Sequence, residues 1–117
     1  MYIKRENQIL FTDITEARTF WQRFMGLMGK KKLDREAGLW FENCSSIHCF
    51  FMKIPIDVVY CDRNYRVVGI ETVQPWHIGH RYRGAAHVLE VNAGSASQIR
   101  LGDVLQLERK EGERNGR

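Results

Sequence analysis

Only 2 prolines and 3 cysteines stand among the 117 residues, and no long uncharged apolar run occurs. With so little proline and no internal period, collagen-like and repeat architectures are excluded. The missing apolar run excludes a membrane-spanning helix. Cys44, Cys49 and Cys61 match neither a disulfide framework nor a common zinc spacing, so they read as buried, reduced thiols. Neither a glycine-rich phosphate loop nor a G-x-S-x-G nucleophile motif is present. The excess of one charge sign is small, a net +4. Its densest basic cluster, Lys30-Lys31-Lys32 with Arg35, reads as a solvated loop or a complement to a helix end rather than as a nucleic-acid surface.

What is present suffices for a core, since 44% of the residues are hydrophobic. A single compact domain is expected over residues 1–107. A polar, flexible tail is expected over 108–117, where no apolar residue occurs. The opening Met1-Tyr2-Ile3-Lys4-Arg5-Glu6-Asn7 puts charges where an apolar signal core would begin, so a cytoplasmic protein is expected.

Strands are expected at 2–5 and 8–12 across a turn at Asn7. The period then changes. Ala17, Phe20, Trp21, Phe24, Met25 and Met28 fall on one face at helical spacing. This predicts an amphipathic helix over about 15–28, capped by Thr15 or Asp13 and packed on a sheet. Short β-rich runs follow at 38–41, 47–52, 58–61, 67–73, 87–91 and 104–107. Asp62-Arg63-Asn64-Tyr65 reads as a hairpin turn, with Asn64 at positive φ and Asp62 bonding back to the backbone. The fold class is therefore mainly β: an antiparallel sandwich or partly open barrel, jelly-roll-like, with one helix on it.

Four blocks carry a resemblance. They are Arg23-Phe24-Met25-Gly26-Leu27-Met28, His48 through Asp57, Val88-Leu89-Glu90-Val91-Asn92-Ala93-Gly94, and Gly102-Asp103. In this order the chain resembles the family known as domain of unknown function 192. The resemblance implies a compact, mainly-β, jelly-roll-like domain, and it brings no assigned activity or site residues. Tyr65 departs from it, since the family's hairpin usually has glycine there, which questions only the turn type.

Candidate site residues follow from residue chemistry. His48, Phe50 and Met52 share one face of the expected 47–52 strand. There His48 is a core-edge histidine or, functionally, a general base or ligand. Asp57, after Ile54-Pro55-Ile56, caps turn amides or faces a pocket. The connection from Gln74 to Ala86 interleaves Trp76, His77, His80, Arg81, Tyr82 and Arg83, the mixture a binding rim uses. Its structural alternative is Trp76 plugging one end of the sandwich. His77 and His80 have a metal-like spacing but lack further local ligands, and His87, Asp57 or a cysteine would have to complete the set. Glu90 reads as bonding a neighbouring turn.

Together these residues point to a non-catalytic module that binds a small molecule or a protein segment at one end of the sandwich. The proposed lining is His48, Met52, Asp57, Trp76, His77, His80, Arg83 and Glu90. The alternative is a small hydrolase, metal-dependent or not, using His48 and Asp57. A third reading is nucleic-acid binding through the basic loops. No cofactor or bound metal is expected, nor any membrane association. Oligomeric state is not written in the sequence.

Overall fold

The computed structural model describes residues 1–17, 35–45 and 54–110. Eight strands form among them: β1 (Tyr2–Arg5), β2 (Gln8–Phe11), β3 (Asp13–Glu16), β4 (Ala37–Phe41), β5 (Ile56–Cys61), β6 (Val67–Val73), β7 (His87–Asn92) and β8 (Gln106–Glu108). They build a three-stranded sheet in the order β2-β1-β8 and a five-stranded sheet in the order β3-β4-β7-β5-β6. The expected mainly-β class holds, and the described strands form two open sheets rather than a closed barrel. The expected antiparallel pairing needs one correction, because β3 and β4 run parallel. A parallel pair requires a long crossover, and the chain from 17 to 36 supplies it.

The expected helix start is also corrected. Thr15 and Glu16 are strand residues paired with Leu39 and Trp40, and the Ala17 amide continues the ladder by donating to the Trp40 carbonyl at 2.9 Å. Alternate burial along Asp13–Glu16 places Ile14 in the core, so sheet pairing overrides the capping pattern at this point. Residues 18–28 of that helix, and the strand expected over 47–52, lie outside the described residues.

β5 is buried along its whole length, as its β-branched run requires of a central strand. Its alternate residues feed two cores. Val59 and Cys61 join Ile3, Phe11, Trp40, Leu89 and Leu105 between the two sheets. Ile56, Val58 and Tyr60 join Phe41, Val73 and Val88 on the opposite face of the large sheet. At the hairpin from β5 to β6, the Tyr65 amide donates to the Asp62 carbonyl at 3.0 Å and the Asp62 amide to the Arg66 carbonyl at 2.9 Å. Asp62 Oδ1 accepts from the amides of Asn64 at 2.8 Å and Arg66 at 3.0 Å, as expected. The left-handed residue is Tyr65 rather than Asn64, with φ of 65°. A turn closed at its fourth residue demands the left-handed conformation there to rejoin the strands.

Candidate functional site

Three chain segments meet where β4 and β5 end and β6 and β7 begin. Just past β4, Trp40 Nε1 donates to Glu42 Oε1 at 2.7 Å, and Asn43 adopts φ of 56°. From the hairpin, the Tyr65 hydroxyl donates to Glu42 Oε2 at 2.8 Å. From the first position of β7, the buried His87 accepts the Asn43 amide on Nδ1 at 3.1 Å. The rings of Tyr65 and His87 stack, and Trp40 stands 5.8 Å from the imidazole on the core side. Around this cluster opens a cavity of about 510 Å³, lined by Glu42, Asn43, Ser45, Arg63, Tyr65, Ala86 and His87. Two of these lining residues, Asn43 and Tyr65, are non-glycine residues in the left-handed region, a strain that tends to gather at functional sites.

The hydrogen bonds decide what this group can do. Because Nδ1 of His87 accepts a backbone N–H, the neutral ring carries its proton on Nε2 and is a donor there. Ser45, His87 and Glu42 have the residue types of a nucleophile triad. The tautomer is opposite to the one a general base needs, however, and Nδ1 stands 3.6 Å from Glu42 Oε2, beyond hydrogen-bond reach. Burial and the bond to Glu42 push the Tyr65 phenol up, keeping it a neutral donor. Burial pushes the Cys61 thiol up to about 12, so it is inert. Among the described residues no three metal-ligating side chains lie together.

The residues singled out from the sequence lie elsewhere. Asp57 sits at the start of β5, four residues and about 13 Å along the strand from the cavity end. Its carboxylate accepts the Thr72 hydroxyl at 2.7 Å and the amides of Gly94 at 2.8 Å and Ala96 at 3.2 Å. It thus ties down the turn after β7. Glu90 bonds no turn, contrary to expectation. It lies in the cross-strand row Leu39, Glu90, Val58, Glu71 and is 6% exposed. No hydrogen bond from another described residue reaches it, and burial pushes its carboxyl up to about 8.

The connection from Gln74 to Ala86 folds back over β6. His80 donates its amide to Glu71 at 2.7 Å and sets Nδ1 2.8 Å from the same carboxylate. Tyr60 donates to Glu71 at 2.8 Å. Burial alone would raise the Glu71 carboxyl, and the bonds from His80 and Tyr60 outweigh it and hold the group below its ordinary value. His77 Nδ1 turns to the Pro75 carbonyl at 3.0 Å. Neither histidine shares a ligand set with the other. Trp76 is 57% exposed rather than buried in one end of the sandwich, and Arg83 is exposed. His48 and Met52 lie outside the described residues.

Glu42, Asn43, Ser45, Arg63 and Tyr65 escaped sequence reasoning, and His87 entered it only as a spare metal ligand. Two signals pointed there. A bulky tyrosine stands where a hairpin favours glycine, and a tryptophan lies two residues before a glutamate at a strand end.

The family model described as Uncharacterized ACR, domain of unknown function 192, matches residues 1–107. A UPF0127 protein of Pyrococcus horikoshii is 35% identical over 103 residues, covering 80% of this chain and 86% of that one. A UPF0127 protein of Pyrococcus furiosus is 30% identical over 102 residues, covering 83% and 88%. The solved structure of a protein of unknown function from Novosphingobium aromaticivorans superposes with a TM-score of 0.76 at 22% identity, covering 91% of this chain and 82% of that one, which is a likeness of fold. Among the described residues no helix is long and apolar enough to cross a membrane. By the match along nearly its whole length, the chain belongs to the uncharacterised family of domain of unknown function 192.

Proposed function

We propose that this protein is a non-catalytic binding module for a small polar molecule, seated in the cavity at the end of the large sheet. One observation carries the reading: a cavity of about 510 Å³ in which Asn43 and Tyr65 hold left-handed backbones while a buried histidine is fixed as a donor. The volume falls within the roughly 300–1,000 Å³ typical of small-molecule sites. The lining supplies donors and one oriented carboxylate, which suits recognition. The His87 ring is not poised as a base, since its neutral tautomer presents N–H.

The test is a ¹H–¹⁵N NMR titration of the full chain with separate small fragments bearing a carboxylate, a phosphate, an amide or an amine. Saturable shifts at Asn43, Ser45, Tyr65, Ala86 and His87 are expected. Shifts confined to Trp76 through Arg83 would move the site to that connection and overturn this reading.

A further inference from the structure

The connection from Gln74 to Ala86 carries a surface that is independent of the cavity. At its start the His77 amide donates to the Gln74 carbonyl at 3.1 Å, with Pro75 second in the turn and Trp76 third at φ of 68°. That is a type II turn, whose third position ordinarily belongs to glycine or asparagine. A tryptophan there is strained, yet Trp76 is 57% exposed, and Ile78 two residues on is 67% exposed. Folding alone gains little from displaying either side chain. The connection beneath them is pinned at two points. His80 binds Glu71 through both its amide and its ring, and the Tyr82 ring lies 4.5 Å from that of Tyr60, packed so closely on Gly69 that a side-chain carbon there would run into it. Arg81 and Arg83 flank Tyr82, both exposed, and no hydrogen bond or ion pair joins either guanidinium to another described residue. No acidic residue occurs from Gln74 to Ala86, and the nearby Glu71 carboxylate is taken up by His80 and Tyr60.

We propose that this connection is a docking surface for an acidic segment of a partner protein, one that carries an apolar side chain beside its carboxylates. Charge complementarity selects the acids, because guanidinium forks pair with carboxylates in two-point contact. Trp76 and Ile78 supply the apolar anchor, and tryptophan and arginine are the residue types that dominate interface energies. Two other anionic surfaces fit less well. A lipid headgroup layer is fluid and gains nothing from an indole fixed in one orientation by a strained backbone. A single nucleic-acid strand would stack on Trp76 and leave Ile78 without a counterpart. A shaped protein segment uses the fixed orientation, since the cost of ordering it is met before binding.

The probe is a phage-displayed library of random linear peptides, selected on the full chain and in parallel on Trp76→Gly. Glycine suits the left-handed turn position, so this variant should unfold at a urea concentration no lower than wild type. Peptides enriched on wild type alone should be rich in Asp and Glu and carry at least one Leu, Ile, Phe or Trp. The strongest of them, synthesised, should bind about tenfold more weakly or worse to Trp76→Gly and to the double variant Arg81→Gln with Arg83→Gln. Enrichment that is absent, neutral or basic in composition, or equal on the two chains overturns the proposal, as does unchanged binding by the double variant. A loss of stability in Trp76→Gly would make the indole a structural residue and overturns it too. Phosphatidylserine–phosphatidylcholine vesicles and oligothymidylate are the counter-probes. Tighter binding of either than of the peptide, lost in Trp76→Gly, gives the surface to lipid or to nucleic acid instead.

Discussion

The ring of Tyr65 lies against that of His87 with centroids 4.8 Å apart and planes within 9°, although Tyr65 holds a backbone conformation that tyrosine rarely adopts. That conformation costs about 1 kcal/mol or more. Stacking contributes about 0.5–1.5 kcal/mol, and the hydroxyl bond to the Glu42 carboxylate adds to it. The ring and the hydroxyl together are thus of the size needed to offset the strain.

Tyr65→Phe keeps the ring and removes the hydroxyl, so it should lower stability by about 1 kcal/mol. The urea midpoint falls while the slope of the transition is unchanged. Tyr65→Gly relieves the backbone and should still be less stable than the native chain. A glycine variant as stable as wild type would show that the stack does no more than offset the strain.

Asp57 is a fastener. Removing it as Asp57→Ala leaves the amides of Gly94 and Ala96 and the hydroxyl of Thr72 without their acceptor, at a cost of about 3 kcal/mol. Chemical denaturation measures the loss. Ligand binding at the far end of β5 should be unchanged in whatever fraction remains folded. Unaltered stability would return Asp57 to the list of groups free for chemistry.

The strands were legible because period-2 runs bounded by turn residues leave few alternatives, and β5, β6 and β7 fall where the β-branched runs end. Asp62 as a turn acceptor was legible too, since its bonds are local. Long-range pairing was not. Nothing in Asp13–Glu16 announces a parallel partner at Ala37–Phe41, because the pairing energy belongs to residues more than twenty positions away. The cavity was hidden for the same reason. Glu42 follows β4, Arg63 lies in the hairpin after β5 and His87 opens β7, and only the sheet order brings β4, β5 and β7 side by side. The histidines of the Gln74 to Ala86 connection drew attention through their spacing, yet each bonds a different local acceptor.

Glu90 should make stability fall with rising pH. Its carboxyl is raised from 4.5 to about 8 by burial, so the folded chain holds a proton that the unfolded chain releases. The contribution of the protonated form is complete below about pH 4.5, declines as pH rises through the interval and is lost above about pH 8. Glu90→Gln cannot titrate there. Relative to wild type it should gain on the order of a few kcal/mol between pH 5 and pH 8, read from denaturation at both pH values. Parallel pH profiles for the two proteins would show that the carboxyl is solvated after all.

His87 separates binding from catalysis in one spectrum. The Asn43 amide donates to Nδ1, and a nitrogen that accepts cannot also hold the proton of a neutral ring. At a pH where the ring is neutral, long-range ¹H–¹⁵N correlation should therefore report the Nε2-protonated tautomer. Such a ring donates to a ligand and cannot take a proton from Ser45 through Nε2. Proton occupancy on Nδ1 would instead point that N–H toward Glu42 and leave Nε2 as an acceptor, the arrangement acyl-transfer chemistry uses. A backbone ester in place of the Asn43 amide deletes the N–H donor while leaving the φ of 56° accessible, and it supplies the control, because the tautomer preference should then weaken whether or not a ligand is present. If the Nε2 form persists unchanged in that variant, the Asn43 bond is not what fixes the ring, and the case against a general base at His87 loses its foundation.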